Sequence, residues 1–277
     1  MTHYTRRTLL AAAGSLTAGL AGCLSLGSET NGSASTSNGT NGSGAIQAAR
    51  IEGTTLVIEL RPETTVDRLT VIDPSGAAFA DRTVTTGATR VSVEIGTRYT
   101  PGEYRIHAVR DDEQIATTAL EIAPEIEILD VRVGANHMDE MPDSLGNSRK
   151  VEAIATVLNS GTGPAAIAGL LFGGGVPNPS ERGKIQSEAR RSGIYNLEAG
   201  GDVEELVLLS GKKETLYSTT LPFSWAQTSG GCRPGDGSIT VSVLYSHGQR
   251  EARWVGNVSY SEGADRYECK TTLTEAD

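Results

Sequence analysis

One short segment of the chain, residues 136–143, holds side chains that could bind a metal ion. His137, Met138 and Met141 carry an imidazole and two thioether sulfurs, which are ligands that suit copper. The carboxylates of the same segment instead suit calcium, which prefers oxygen ligands. Because no cysteine or second histidine is near in sequence, a polar loop between two strands is the competing interpretation. We predict a metal site at these three residues, and no other segment indicates a cofactor.

The residue patterns of an enzyme are otherwise missing from the sequence. The histidines are far apart, the carboxylates are scattered, and no Gly-x-Ser-x-Gly nucleophile elbow occurs. The segment Gly211-Lys212-Lys213 lacks the upstream glycine and the following hydroxyl residue of a phosphate-binding loop. A hydrolase would need a nucleophile beside a base, and no such pair can be picked out. We therefore expect a non-enzymatic protein.

The first 23 residues have the pattern of an export signal. Arg6 and Arg7 precede an apolar run, residues 9–22, which at 14 residues is shorter than a membrane-spanning helix; such a helix needs roughly 20 residues. An ordinary secretory signal would also account for the two arginines and the short apolar run. The order Thr-Arg-Arg-Thr-Leu-Leu at residues 5–10, however, resembles the twin-arginine export motif.

The end of the same segment, Leu-Ala-Gly-Cys at residues 20–23, resembles the lipobox of lipoproteins. The resemblance implies cleavage after residue 22 and a lipid on Cys23, which would anchor the chain at the extracytoplasmic face of the membrane. A free cysteine beside a plain cleavage site is the alternative. With Cys23 assigned to lipid, Cys232 and Cys269 remain as an even pair in an exported chain, for which a disulfide is the expected state.

A tract rich in Gly, Ser, Asn and Thr follows the signal and cannot bury a core. We predict that residues 23–45 form a flexible tether. N-glycosylation sequons occur at Asn31, Asn38 and Asn41 in this tract and at Asn257 on a predicted strand. Sequons also arise by chance in tracts of this composition.

Residues 46–123 contain short runs of Val, Ile, Leu and Thr that alternate with polar residues, as strands with one buried face do. Turn signals separate the runs, and the spacing predicts seven strands in a small antiparallel sandwich. The sequence Pro-Gly-Glu-Tyr at residues 101–104 resembles the last hairpin of immunoglobulin-like and fibronectin-type domains. The resemblance implies that Tyr104 is the packing tyrosine of that hairpin; an ordinary half-buried tyrosine is the alternative.

Residues 124–277 begin a second alternating series after Pro124. The apolar run of residues 151–159 ends at Asn159-Ser160-Gly161, which resembles the second strand and turn of immunoglobulin-like adhesion modules of surface proteins. A strand meander is predicted from residue 238 onward. An insertion, residues 173–193, carries a basic cluster, namely Arg182, Lys184, Arg190 and Arg191, which could dock an anionic partner or balance nearby acids.

The net charge of the chain limits the classes of partner that it can bind. With 34 acidic and 24 basic residues, the net charge is −10, which repels nucleic acid. The acidic composition with few lysines is similar to that of proteins from salt-loving archaea, although a mildly acidic mesophile protein is the alternative. The sequence as a whole predicts two immunoglobulin-like β-sandwiches on a lipid anchor, acting as a surface protein that binds a protein or envelope partner. The alternative is a ligand- or metal-binding accessory lipoprotein of a transporter or redox system.

Overall fold

A computed structural model describes residues 39–42, 44–180, 192–226, 228–265 and 268–276. These residues form antiparallel strands in four sheets, and the sheets pack in pairs around two separate apolar cores. The described part of the chain is therefore all-β, as its alternating apolar pattern predicted, and its two sandwiches are immunoglobulin-like, as the resemblances implied. The predicted division between residues 123 and 124 falls between the last strand of the first sandwich and the first strand of the second.

The first sandwich contains β1 (Gly39–Asn41), β2 (Ile46–Glu52), β3 (Thr55–Leu60), β4 (Arg68–Ile72), β5 (Ala78–Thr83), β6 (Arg90–Glu94), β7 (Gly102–Arg110) and β8 (Glu113–Ile122). Its sheets have the orders β1-β2-β3-β6 and β5-β4-β7-β8. Strand β7 shows why the sequence folds this way: Tyr104, Ile106 and Ala108 point into the core, while Glu103 and Arg105, which alternate with them, face solvent.

Tyr104 has the role that the resemblance implied. Its ring is fully buried and packs edge-on against Phe79, with ring centroids 5.4 Å apart. Its hydroxyl donates a hydrogen bond of 2.9 Å to the carbonyl oxygen of Thr100, four residues earlier. Burial raises the pKa of Tyr104 to about 12, so the hydroxyl stays a donor. The tyrosine thus ties the start of β7 to the loop before it, as a tyrosine corner does.

The predicted tether ends earlier than the composition indicated. Residues 39–41, inside the tract assigned to the tether, form β1 and pair with residues 48–50 of β2. Pairing at a sheet edge uses backbone groups, which a tract of Gly, Thr and Asn supplies as well as any other sequence. Composition indicates only whether a segment can bury a core. Because β1 is paired through its backbone, composition did not predict it.

The second sandwich contains β9 (Ile126–Val133), β10 (Ala153–Asn159), β11 (Ala165–Gly174), β12 (Ile194–Asn196), β13 (Gly201–Asp202), β14 (Leu206–Leu208), β15 (Lys213–Ser218), β16 (Gly235–Tyr245), β17 (Arg250–Asp265) and β18 (Glu268–Glu275). Its sheets have the orders β13-β12-β15-β10-β9 and β14-β11-β16-β17-β18. The predicted meander is β16 to β18. Strand β11 escaped prediction because it is buried on both faces for most of its length, which removes the alternation.

The disulfide between Cys232 and Cys269 is present, with Cα atoms 5.4 Å apart. It joins the segment that leads into β16 to the second residue of β18. Strand β18 is the last strand of its sheet, so the covalent link adds to its pairing with β17 and to the hydrogen bond of 2.8 Å that Asn136 Nδ2 donates to the carbonyl oxygen of Thr271.

Candidate functional site

A groove of about 420 Å³ runs along one side of the second sandwich, where the edges of its two sheets meet. We call it the side groove. It is lined by residues from β12, β14, β15 and the connecting turns, among them Tyr195, Leu197, Glu198, Glu205, Val207, Glu214 and Tyr217.

Strand β14 is the last strand of its sheet, and this position leaves the groove open to solvent. Strand β14 has only three residues, and it pairs with β11 through Leu208 opposite Ala165 and Val207 opposite Ala166. No other strand of the described residues lies on its second side. One row of its backbone donors and acceptors therefore has no strand partner beside the groove.

The groove exposes apolar side chains that a sandwich normally buries. Leu197 is 62% exposed and Val207 is 48% exposed. Tyr195 and Tyr217 lie opposite each other in the register of β12 and β15, and both line the groove. Aromatic residues of this kind are enriched where proteins bind one another, and large exposed aliphatic side chains grouped together indicate an interaction surface.

The rim of the groove is acidic. Glu198 and Glu214 are exposed, and neither pairs with a cation among the described residues. Glu205 lies with its Oε2 atom 3.4 Å from Nδ1 of His247, on the neighbouring hairpin. Three carboxylates around two exposed aliphatic side chains favour a ligand that is both apolar and cationic.

A segment between β9 and β10, residues 134–151, covers the sheet surface beside the groove. It contains two 3₁₀ helices, Gly134–Asn136 and Asp143–Lys150. Ser144 Oγ accepts a hydrogen bond of 2.7 Å from the Tyr195 hydroxyl. This contact holds one aromatic wall of the groove in place.

The predicted metal ligands lie in this covering segment. His137 Nδ1 is 3.0 Å from Oε1 of Glu140, and Glu140 also pairs with Arg132, which lowers the pKa of its carboxyl. Met141 is buried. Within the described ranges, no group of three or more His, Cys, Asp or Glu side chains could hold a metal ion. Copper binding through the methionines stays a prediction.

The remaining predicted sites are distributed as follows. Asn257 is exposed on the outer face of β17, opposite Ser238 and Thr274. The export and anchor residues, two sequons and the basic cluster, namely Arg6, Arg7, Cys23, Asn31, Asn38, Arg182, Lys184, Arg190 and Arg191, lie outside the described residues. Asn41 lies in β1, and its side chain is likewise outside them. No helix in the described part of the chain is long and apolar enough to cross a membrane.

Sequence reasoning missed Glu152, a buried carboxyl beneath the covering segment. It is 2% exposed, and its Oε1 atom accepts a hydrogen bond of 2.7 Å from Ser148. Its Oε2 atom has no hydrogen-bond partner among the described residues. Burial raises the pKa of Glu152 to about 7, against the opposing effect of Ser148. Its position at the start of an apolar run gave no signal of burial.

This carboxyl should make stability depend on pH. Because its pKa is raised by folding, the folded state binds the proton more tightly, and stability should fall as pH rises from about 4.5 to about 7. Glu152→Gln should remove this fall and raise the free energy of unfolding at pH 8 by roughly 1–3 kcal/mol. Urea unfolding at pH 5 and pH 8 measures both effects.

Glu140→Gln is the matched control, because the pKa of Glu140 is lowered by Arg132 instead of raised. This variant should lose a little stability at pH 8 and gain none. An unchanged pH profile in Glu152→Gln would show that the carboxyl is hydrated in the folded state.

Comparisons with known proteins concern the fold. Neither protein-family models nor curated protein sequences match the chain. A two-domain fibronectin type-III segment of chicken tenascin is 12% identical, with 83% of this chain and 96% of that chain covered and a TM-score of 0.26. The BSP domain of a biofilm-associated protein is 15% identical, with coverages of 75% and 27% and a TM-score of 0.24.

A β-glycosidase from Bacteroides vulgatus is 14% identical, with coverages of 74% and 23% and a TM-score of 0.21. The chain thus spans about a quarter of the length of the last two proteins. At these identities and TM-scores, none of the three likenesses carries an argument about binding or activity.

Proposed function

We propose that this chain is a non-enzymatic surface lipoprotein that binds a protein partner through the side groove. The observation that carries the proposal is the grouping of exposed Leu197 and Val207 beside the open edge of β14. A single exposed aliphatic residue is ordinary on a protein surface, whereas two in one groove beside unpaired backbone form a binding surface.

The groove suits an extended segment of a partner protein. Such a segment can pair with the outer edge of β14 as an added strand, while its alternate side chains enter the groove. An aliphatic side chain would cover Val207 and Leu197, and a lysine or arginine would pair with Glu198 or Glu214. The partner is thus expected to present an extended stretch that combines aliphatic and basic residues.

The anchor places this groove outside the cell in the proposal. A lipid on Cys23, after export directed by Arg6 and Arg7, would hold the chain at the extracytoplasmic face of the membrane. Stable anchoring needs two acyl chains, because one chain gives only reversible membrane binding. The tract that follows Cys23 would let the sandwiches reach a partner in the envelope or on the surface.

A photo-cross-linking amino acid at position 207, used on intact cells, tests the proposal. We expect capture of a defined protein whose contact segment is extended and basic, and we expect the charge reversal E198K to reduce that capture. The matched control is the same amino acid at position 255, since Val255 is 45% exposed but lies on β17, away from the groove. Equal capture from both positions, or capture insensitive to E198K, would contradict the proposal.

A further inference from the structure

A second cavity, the interdomain cleft, lies between the two sandwiches. It has a volume of about 620 Å³ and is formed by the loop between β6 and β7 and the hairpin turn between β16 and β17. The first loop contributes Arg98 and Thr100, and the hairpin contributes Ser246, His247 and Arg250. Sites for small molecules have volumes of about 300–1,000 Å³, so the cleft can take more than a single ion.

The cleft is basic on a protein that is acidic. Its lining includes Arg98 and Arg250 and no carboxylate, although the net charge of the chain is −10. Arg98 is exposed and makes no hydrogen bond or ion pair with any residue that the structure describes. Arg250 donates from Nη1 to the carbonyl oxygen of Pro124 at 3.1 Å, which leaves its other N–H groups for a ligand.

Contacts between the sandwiches hold the walls of the cleft in place. The Tyr99 hydroxyl donates a hydrogen bond of 2.8 Å to the carbonyl oxygen of Pro164. His247 lies between the two sides, with Nε2 3.3 Å from the carbonyl oxygen of Thr97 and Nδ1 3.4 Å from Glu205. A site whose walls are fixed before binding loses less conformational freedom when a ligand enters.

The backbone of the hairpin turn places two polar side chains at the cleft. Ser246 and His247 have φ angles of 49° and 55°, in the left-handed region that residues other than glycine seldom adopt. A tight hairpin turn requires such angles at its two central residues, and Asp111 and Asp112, in the turn between β7 and β8, have them as well. The turn thereby presents the hydroxyl of Ser246 and the imidazole of His247 at the cleft.

We propose that the interdomain cleft binds a small molecule through an oxyanion group, a carboxylate, sulfate or phosphate, that pairs with Arg98 and Arg250. The guanidinium group offers two parallel N–H donors that match two oxygens of such a group. Thr100 and Ser246 add hydroxyl donors to the lining. The residues of this site differ from those that line the side groove, and the inference does not depend on the function proposed for that groove.

Isothermal titration of the full-length chain with glucuronate, sulfate and phosphate tests this inference, with glucose as the uncharged control and ionic strength held constant by chloride. We expect saturable binding of at least one of the three anions and none of glucose. Arg98→Ala should weaken that binding by about tenfold or more, because it removes charge-assisted hydrogen bonds. The anion that binds most tightly identifies the ligand group.

Arg105→Ala is the matched control, since Arg105 is an exposed arginine on β7 that does not line the cleft. It should bind as the unmodified protein does, and so should Glu198→Lys in the side groove. Arg98→Lys, which keeps a charge but loses the paired donors, should bind with intermediate affinity. Absence of heat with all three anions, or equal affinity in Arg98→Ala and the unmodified protein, would overturn the inference.

Discussion

Replacing Asn159 with alanine is expected to lower the free energy of unfolding by about 3–5 kcal/mol, an effect at the upper end for a single substitution. Asn159 is fully buried at the end of β10. Its Nδ2 donates to the carbonyl oxygens of Gly163 and Leu208, at 2.9 and 3.1 Å. Its Oδ1 accepts from the backbone N–H groups of Gly161 and Glu125, at 3.1 and 3.2 Å.

The expected loss of stability is large because the backbone groups that now pair with the Asn159 side chain would lose their partner. Alanine would leave two backbone N–H groups and two carbonyl oxygens without the side-chain partner they now have. A buried polar group without a partner costs about 1–3 kcal/mol, and partial rehydration at the loop reduces the sum. The same loop, residues 160–164, contacts the first sandwich through the bond between Tyr99 and Pro164, so the loss should also loosen the interdomain cleft.

Asn178→Ala provides the comparison for this prediction. Asn178 is half-buried, and among the described residues its side chain makes one hydrogen bond, of 3.1 Å, to the carbonyl oxygen of Leu221. Its loss should cost about 1 kcal/mol. Urea unfolding of both variants measures the difference. Equal, small losses would mean that water replaces the Asn159 amide without strain.

Replacing Cys232 with serine is expected to lower the free energy of unfolding by about 4 kcal/mol, the value for a closed loop of this size in the chain-entropy model. The bond joins residues 37 positions apart and ties the entry of β16 to the edge strand β18. Without it, the unfolded chain gains conformations, and β18 is held by its pairing with β17, the hydrogen bond from Asn136 to Thr271 and the packing of Leu273 against the core. Fraying should therefore begin at β18.

A reductant and a double variant test this prediction. Thermal unfolding of the unmodified protein with dithiothreitol should match that of Cys232→Ser, and Cys232→Ser with Cys269→Ser should be no less stable than either single variant. Hydrogen exchange should show the largest loss of protection in β18. An unchanged melting temperature in Cys232→Ser would mean that the bond contributes no stability.

The sequence predicted the elements whose evidence is local. The alternating runs predicted in residues 46–123 and after Pro124 form strands, because alternation at a period of two is a property of each strand alone. The role of Tyr104 was implied by the resemblance that residues 101–104 carry. The cysteine pair followed from a count, once Cys23 was assigned to lipid. Each inference needed only neighbours along the chain or the number of residues of one type.

The sites depend on contacts that sequence spacing does not reveal. Leu197 follows a strand of one sheet and Val207 belongs to a strand of the other, so only the packing of the two sheets brings them into one groove. Glu152 looks like an ordinary exposed acid until the covering segment closes over it. His247 reaches Thr97 across 150 positions of sequence to form one wall of the interdomain cleft. Local alternation determines which residues form strands. Grooves and clefts form where sheet edges and loops from distant parts of the chain come into contact, and those contacts are determined by tertiary packing.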